Sequence, residues 1–344
     1  MPTATPIFLA TRGSALALAQ ANLVLAQCRT AFPRLSFELK IIKTTGDKLQ
    51  TASLAREGET LPKGLFTKEL EVALLEHRAD LAVHSLKDLP TDLPAGLELG
   101  AVGKRADVRD VLIYRDAHYL RIAEADKAAT EWSPGQSERR GFKPGLAVKD
   151  LPARAVVATS STRRKAQLLM LNPGLKVPDI RGNVVTRMQK VAERAELDAT
   201  VLALAGLTRL DFQITPEGRL EGDAVPDGLL ATVLDMDVML PCVGQGAVGI
   251  EVRAQDERIA SICERLNHFN TRQCVIAERA FLAAMGGGCQ SPVAACAQVV
   301  GSQLEMRALS FAHGPVRHAR ARRPVGEAVE LGQQLAAELK GGSL

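Results

Sequence analysis

The sequence predicts an α/β protein of two or three domains, with a small separate α+β domain at its C-terminal end. Three observations carry that expectation. The chain has 344 residues, more than one ordinary domain holds. Short runs rich in β-branched residues alternate with helical patterns, as in parallel sheets joined by crossover helices. Apolar residues make up 46% of the chain, enough to build real cores, which excludes a disordered polymer.

Taken in order, ATRGSALALAQ marks a strand-to-helix junction, with Arg12 and Ser14 just ahead of an apolar helix. FELKIIKT (37–44) reads as a strand, followed by a helix from about Thr67 to Ala79 and a strand DLAVHS (80–85). ARAVVATSS (153–161) then leads into a helix from about Thr162, and DATVLALAG (198–206) is a further strand. The stretch 115–150 holds the only Trp among mixed charge, Gly and Pro, and is expected to be a surface insertion. From about residue 254, DERIASICERLNHF starts a helix, a second covers 271–284 up to a glycine run, and a last one falls near 325–340. These make the expected small α+β domain. Ligands on parallel α/β sheets bind where the carboxyl ends of strands meet helix N-termini, so the junctions are the places to search.

Composition removes several function classes. The net charge is only +4 and aromatics are 3%, which argues against a nucleic-acid surface and base stacking. The opening MPTATPIFLATRGS has no charged segment, apolar core and cleavage site in series, so no signal peptide is expected and the protein is placed in the cytosol. The uncharged stretches 13–28 and 280–304 contain Gln20, Asn22, Gln290 and three successive glycines, and neither reads as a membrane span. The six cysteines form no CxxC pair and no Cys/His cluster, so zinc is not expected.

Arginine placement is the unusual feature. Cations in the first turn of a helix oppose its macrodipole. Yet ATSSTRRKAQLL puts Thr159, Ser160, Ser161, Arg163 and Arg164 at one junction, DIRGNVVTRMQK puts Arg181, Gly182 and Arg187 around an Asn183 cap, and LAGLTRL has Arg209 after a strand. Hydroxyls, backbone N–H groups and arginines converging at strand ends make a site for carboxylates, which arginine binds with two parallel hydrogen bonds. Within this basic background, VHSLKDLP sets Asp88 in a tight loop beside Lys87, and Lys63 and Phe66 are expected near it. An ionised carboxylate there can hold N–H donors or a developing cation. LPCVGQGAVGIEV lacks the lysine and hydroxyl of a phosphate loop and reads as a hinge or close packing. AMGGGCQSP puts Cys289 on a glycine loop, as an accessible thiol. On these residues alone, a non-catalytic anion-binding protein remains open beside an enzyme; a thiol hydrolase lacks a placed histidine.

Together, ATRGSALALAQ, KGLFTKELEVALLEHRADLAVHSLKDLP, ATSSTRRKAQL, RGNVVTR, LALAGLTRL, LPCVGQGAVGIE, AERAFL and GGCQSP resemble the porphobilinogen deaminase (hydroxymethylbilane synthase) family. The resemblance implies two doubly wound domains like those of periplasmic binding proteins, plus a small α+β C-terminal domain. Domain one would be 1–105 with 230–250, domain two 109–226 with the insertion at about 115–150, and the cofactor-attachment domain 254–344. It implies a transferase of tetrapyrrole biosynthesis that condenses four porphobilinogen units with loss of ammonia. It also implies a self-made dipyrromethane cofactor on Cys289, with no metal. Asp88 would be catalytic. Arg12, Ser14, Lys87, Thr159, Ser160, Ser161, Arg163, Arg164, Arg181, Gly182 and Arg187 would hold the cofactor. Arg12, Gln20, Phe66, Arg181, Arg187 and Arg209 would bind substrate. A cytoplasmic monomer acting on a small molecule, with no nucleic-acid or membrane partner, is expected. Gly286 departs from the pattern, standing where the family has an acidic residue, and Cys242 occupies a position usually held by a small residue.

Overall fold

The computed structural model describes residues 5–46, 66–128, 139–288, 291–312 and 314–341. The chain forms two units, one of Met1–Asp107 with Pro241–Leu344 and one of Val108–Leu240.

The first unit opens with β1 (Ile7–Arg12), α1 (Ala15–Ala31), β2 (Phe37–Ile42), α2 (Lys68–Leu75), β3 (Leu81–Ser85) and β4 (Leu97–Val102). The second unit contains β5 (Asp110–Arg115), α3 (Ala117–Ala128), β6 (Val157–Ala158), α4 (Thr162–Leu171), α5 (Val184–Glu193), β7 (Ala199–Ala203) and α6 (Leu204–Arg209). It closes with a small hairpin, β8 (Gln213–Ile214) and β9 (Leu220–Glu221), and with β10 (Leu229–Leu234). Back in the first unit follow β11 (Val248–Arg253), α7 (Glu257–Leu266), α8 (Phe269–Ala284), β12 (Val293–Val300), β13 (Gln303–Ser310), β14 (Arg317–Pro324) and α9 (Ala328–Lys340).

The sheets confirm the α/β class. The first has the order β2-β1-β3-β11-β4, with β1 parallel to β2 and β3, and β11 antiparallel to both its neighbours. Both faces are covered. On one, Ile7, Leu9 and Val83 meet Val24 and Leu25 of α1 and Ile259 and Ile262 of α7; on the other, Ala10 and Ala82 meet Leu70 and Leu74 of α2. The second sheet, β10-β5-β7-β6, is built the same way. Val111 and Ile113 of β5 pack on Met188 and Val191 of α5, while Leu112 and Tyr114 face the core that includes Leu168 of α4. A strand buried on both faces is a continuous apolar run, which is why DVLIY shows no alternation. In the C-terminal piece, α8 and α9 cover one face of the sheet β12-β13-β14 through Phe281, Leu331, Leu335, Met306 and Ala308.

Several expected boundaries move. Leu229–Leu234 lies in the second unit rather than rejoining the first near 230, because it pairs along the whole of β5. The helix begun by DERIASICERLNHF packs into the core of the first sheet through Ile259, Ile262 and Cys263, so it does not open the C-terminal domain at 254. The insertion expected from 115 starts with a core residue: Arg115 is 1% exposed and donates to the carbonyls of Arg140, Val191, Arg194 and Leu197. The helix expected to reach Ala79 ends at Leu75, and His77 takes a left-handed φ of 55°. The VGQGAVG run serves close packing within one unit: Gly246 has a φ of 80°, and a Cβ there would lie 2.7 Å from the Ala106 carbonyl oxygen.

Candidate active site

Two clusters collect the expected residues, one in each unit. In the first unit, Arg12 is the last residue of β1, and Ser14 caps α1 by accepting from the Ala17 amide at 3.3 Å. Gln20, one and a half turns along, donates from Nε2 to Ser85 Oγ at 2.9 Å, tying α1 to the end of β3. The Arg12 guanidinium stands 4.3 Å from the centroid of the Phe66 ring, a cation–π contact. Beyond β3, a single 3-10 turn, Leu86–Asp88, presents an exposed Asp88 and a half-buried Lys87. Arg12, Ser14, Gln20, Phe66 and Asp88 line one cleft. Sequence reasoning missed Thr67, His84 and Ser85, which line it too. It also missed Arg279 of α8, which donates to the carbonyls of Leu89, Pro90 and Thr91 at 3.0, 2.6 and 3.2 Å and so fixes the loop that carries Asp88.

In the second unit, Ser161 caps α4. Ser160 Oγ donates to the Ile180 carbonyl at 2.8 Å and accepts from the Ile180 amide at 3.1 Å. The Thr159 amide donates to the Pro178 carbonyl at 2.9 Å. These bonds bring the hydroxyl-rich junction beside Arg181 and Gly182. Asn183 caps α5, as expected, through the Thr186 amide at 2.9 Å. Arg187 Nε donates to the Gly182 carbonyl at 2.8 Å, while Arg181 is exposed. Gly182 has a φ of 116°, and a Cβ there would sit 2.7 Å from Thr186 Cγ2, so the position takes glycine alone without strain.

Arg163 and Arg164 are placed differently from open carboxylate ligands. They are 3% and 6% exposed and donate to the two oxygens of buried Asp110 at 2.8 and 2.7 Å. Their remaining terminal nitrogens donate to the carbonyls of Leu240 and Val201. Burial by itself would raise the Asp110 pKa, but the two guanidiniums outweigh it and hold the carboxyl at about 2. Two buried guanidiniums thus share this one carboxylate. Arg209 is also not at a helix start: it ends α6, where its charge suits the helix dipole.

A family model described as "Porphobilinogen deaminase, dipyromethane cofactor binding domain" matches residues 7–261, and one described as "Porphobilinogen deaminase, C-terminal domain" matches residues 272–341. The chain belongs to the porphobilinogen deaminase family. A porphobilinogen deaminase of Moorella thermoacetica is 43% identical over 303 residues, covering 88% of this chain and 82% of its own. One of Desulforudis audaxviator is 41% identical over 335 residues, covering 97% and 94%. One of Chloroherpeton thalassium is 40% identical over 293 residues, covering 85% and 79%. Membership makes this a transferase of tetrapyrrole synthesis with a dipyrromethane cofactor.

Cys289, expected from the resemblance to carry the cofactor, and Lys63 lie outside the described residues. The approach to Cys289 is described: α8 ends at Ala284, and Gly286 has a φ of 72° with open space around it. A left-handed backbone favours glycine at this position. Ser291 Oγ accepts from the Gly288 amide at 3.0 Å. Other cysteines are poor nucleophiles: burial pushes the thiols of Cys28 and Cys274 up to about 11 and those of Cys263 and Cys296 up to about 12. No helix among the described residues is long and apolar enough to cross a membrane.

Proposed function

We propose that this chain is a hydroxymethylbilane synthase in which Asp88 is the catalytic carboxylate and Cys289 the covalent attachment point. Four porphobilinogen molecules are joined head to tail, each losing ammonia, and hydrolysis releases the linear tetrapyrrole. The observation that carries the assignment is the single cleft lined by Arg12, Ser14, Gln20, Phe66 and Asp88, residues drawn from three separate stretches of sequence.

The donor set fits a dipyrromethane. Each pyrrole of this chemistry carries an acetate and a propionate, so a bound chain needs cations and hydroxyls and no acidic wall. Ser160, Ser161, Arg181 and Arg187 at the capped starts of α4 and α5 meet that need, with Arg163 and Arg164 buried on Asp110 in the same unit. Arg12, Ser14, Lys87, Thr159, Gly182 and Arg209 complete the holding set in this reading. When bound, the dipyrromethane supplies the acceptor pyrrole to which the first new unit is joined.

Loss of ammonia leaves the incoming porphobilinogen as an electron-poor azafulvenium. The Asp88 carboxylate stabilises that charge and accepts pyrrole N–H bonds. Phe66, with the Arg12 guanidinium over its own ring, packs on a pyrrole face. Gln20, held by Ser85, contacts the chain of rings. The same reading makes the protein a cytosolic monomer with no nucleic-acid or membrane partner.

Intact mass tests the assignment. Protein from cells that make porphobilinogen is expected to carry the mass of two linked pyrrole units, lost in Cys289→Ala, and to release ammonia from added porphobilinogen. Full turnover by an unmodified chain would overturn it.

A further inference from the structure

Behind the cleft lies a buried titratable group that the reading above does not use. His84 of β3 lines the cleft, and its Nε2 is 3.0 Å from Glu251 Oε2 on β11. His84 lies opposite Gly249, and Glu251 opposite Ala82, so both side chains point to the same face of the sheet, the one covered by α2. From α2 comes a second buried acid, Glu71, whose pKa is raised by burial and by the charge of Glu251. Two charged residues line the same cleft, Arg12 at the end of β1 and Asp88 in the turn after β3, and Glu69 of α2 adds its charge beside Glu71.

As a purely structural device this arrangement is uneconomical. Glu251 is fully buried, and its Oε1 has no hydrogen-bond partner among the described residues. A buried ion pair recovers its desolvation cost only when its remaining lone pairs are satisfied, and an apolar replacement is often as stable. Among the described residues the imidazole has one hydrogen-bond partner, Glu251 through Nε2, and His84 lines the cleft. A histidine oriented by a buried carboxylate in the lining of a substrate cleft, with its other nitrogen not engaged, is the arrangement of a general base.

We propose that His84, clamped by Glu251 and backed by Glu71, takes the proton released as each carbon–carbon bond is completed; this rests on the deaminase reading above. The C–N bond of the incoming aminomethyl group, protonated as its ammonium form, breaks, and its electron pair leaves on nitrogen as ammonia. The acceptor α-carbon bonds to the resulting methylene. That carbon gives its proton to Nδ1, and the C–H electrons restore the aromatic ring. The imidazolium, paired with Glu251, returns the proton to the departing ammonia, which leaves as ammonium. Asp88 then keeps its charge throughout, which it needs for the cation and the pyrrole N–H groups of the next cycle.

The test uses holoenzyme carrying His84→Gln, Glu251→Gln or Glu71→Gln, with porphobilinogen deuterated at its free α-carbon. In His84→Gln, kcat is expected to fall by about 100-fold or more with KM little changed, as loss of a general base does. The isotope effect should exceed that of the wild type, because deprotonation has become limiting. In 15N-histidine spectra of the wild-type holoenzyme, the signal that His84→Gln removes should shift in Glu251→Gln. An unchanged kcat and isotope effect in His84→Gln overturns the proposal, as does a loss of kcat that brings no rise in the isotope effect. If His84→Gln does not fold, Glu251→Gln, which keeps the shape of the acid, decides by the same isotope measurement. A wild-type protein that releases no ammonia from porphobilinogen fails the deaminase reading instead, and the histidine spectra still report on the His84–Glu251 pair.

Discussion

Asp110 Oδ2 accepts a hydrogen bond from Arg163 Nη2 at 2.8 Å, with both groups buried at the first residue of β5. Arg164 holds the other oxygen at 2.7 Å. The Asp110 carboxyl titrates at about 2 when folded, below the ordinary aspartate value of about 3.9. A depressed folded value means that the stabilisation is complete above the unfolded pKa. It is lost as pH falls toward the folded one. The difference corresponds to roughly 2–3 kcal/mol. Chemical denaturation at a series of pH values is therefore expected to show stability falling between about pH 4 and pH 2. Asp110→Asn should remove that dependence. It should also cost on the order of 3–5 kcal/mol at neutral pH, since two buried guanidiniums lose their counter-charge.

Asp88 presents the opposite case. It is exposed on a 3-10 turn, outside the apolar cores. Asp88→Asn should melt within about 0.5 kcal/mol of the wild type, as surface changes do. Turnover of porphobilinogen should drop by about 100-fold or more, because the charge goes and the shape stays. Near-normal ammonia release by this variant would remove Asp88 from the mechanism.

Arg279 links the helix α8 to the loop after Asp88 through three carbonyls. Arg279→Ala should slow turnover by about 10–100-fold by letting the carboxylate wander. Unlike Asp88→Asn, it should also raise amide exchange at Leu89 and Thr91, measurable by hydrogen–deuterium mass spectrometry. Slowed turnover without faster exchange there would argue against a positioning role.

Gly182 is the most exacting backbone position of the second cluster. Gly182→Ala must force a left-handed φ and press on Thr186, at a cost of about 1–3 kcal/mol. Thermal melting should register the loss, and KM for porphobilinogen should rise, because the Gly182 carbonyl holds the Arg187 guanidinium.

Local chemistry was legible in the sequence. Ser14, Ser161 and Asn183 declare helix starts because a cap bonds to an amide two or three residues on, and all three caps form. The alternation of strands and helices reported the α/β class for the same reason: periodicity is a property of neighbours along the chain. Arg163 and Arg164 show where such reading stops. Their position at a helix start is local, but the carboxylate that neutralises them is more than fifty residues away, and nothing near them announces it. The six-residue helix that ends on Arg209 likewise begins at Leu204, inside the segment 198–206 that read as a strand.

By itself the sequence determined the α/β class, the basic junctions and, through its motifs, the family and its cofactor chemistry. The tertiary structure alone decided which of those residues share a cleft, that two of the arginines are buried on one aspartate, that His84 lines the cleft with Glu251 bonded to it, and that Arg279 holds the loop after Asp88. The reason is physical. Caps and periodicity act over a few residues of chain, whereas sheet pairing sets β3 beside β11 across more than 160 residues of sequence, and burial then fixes which charges must meet.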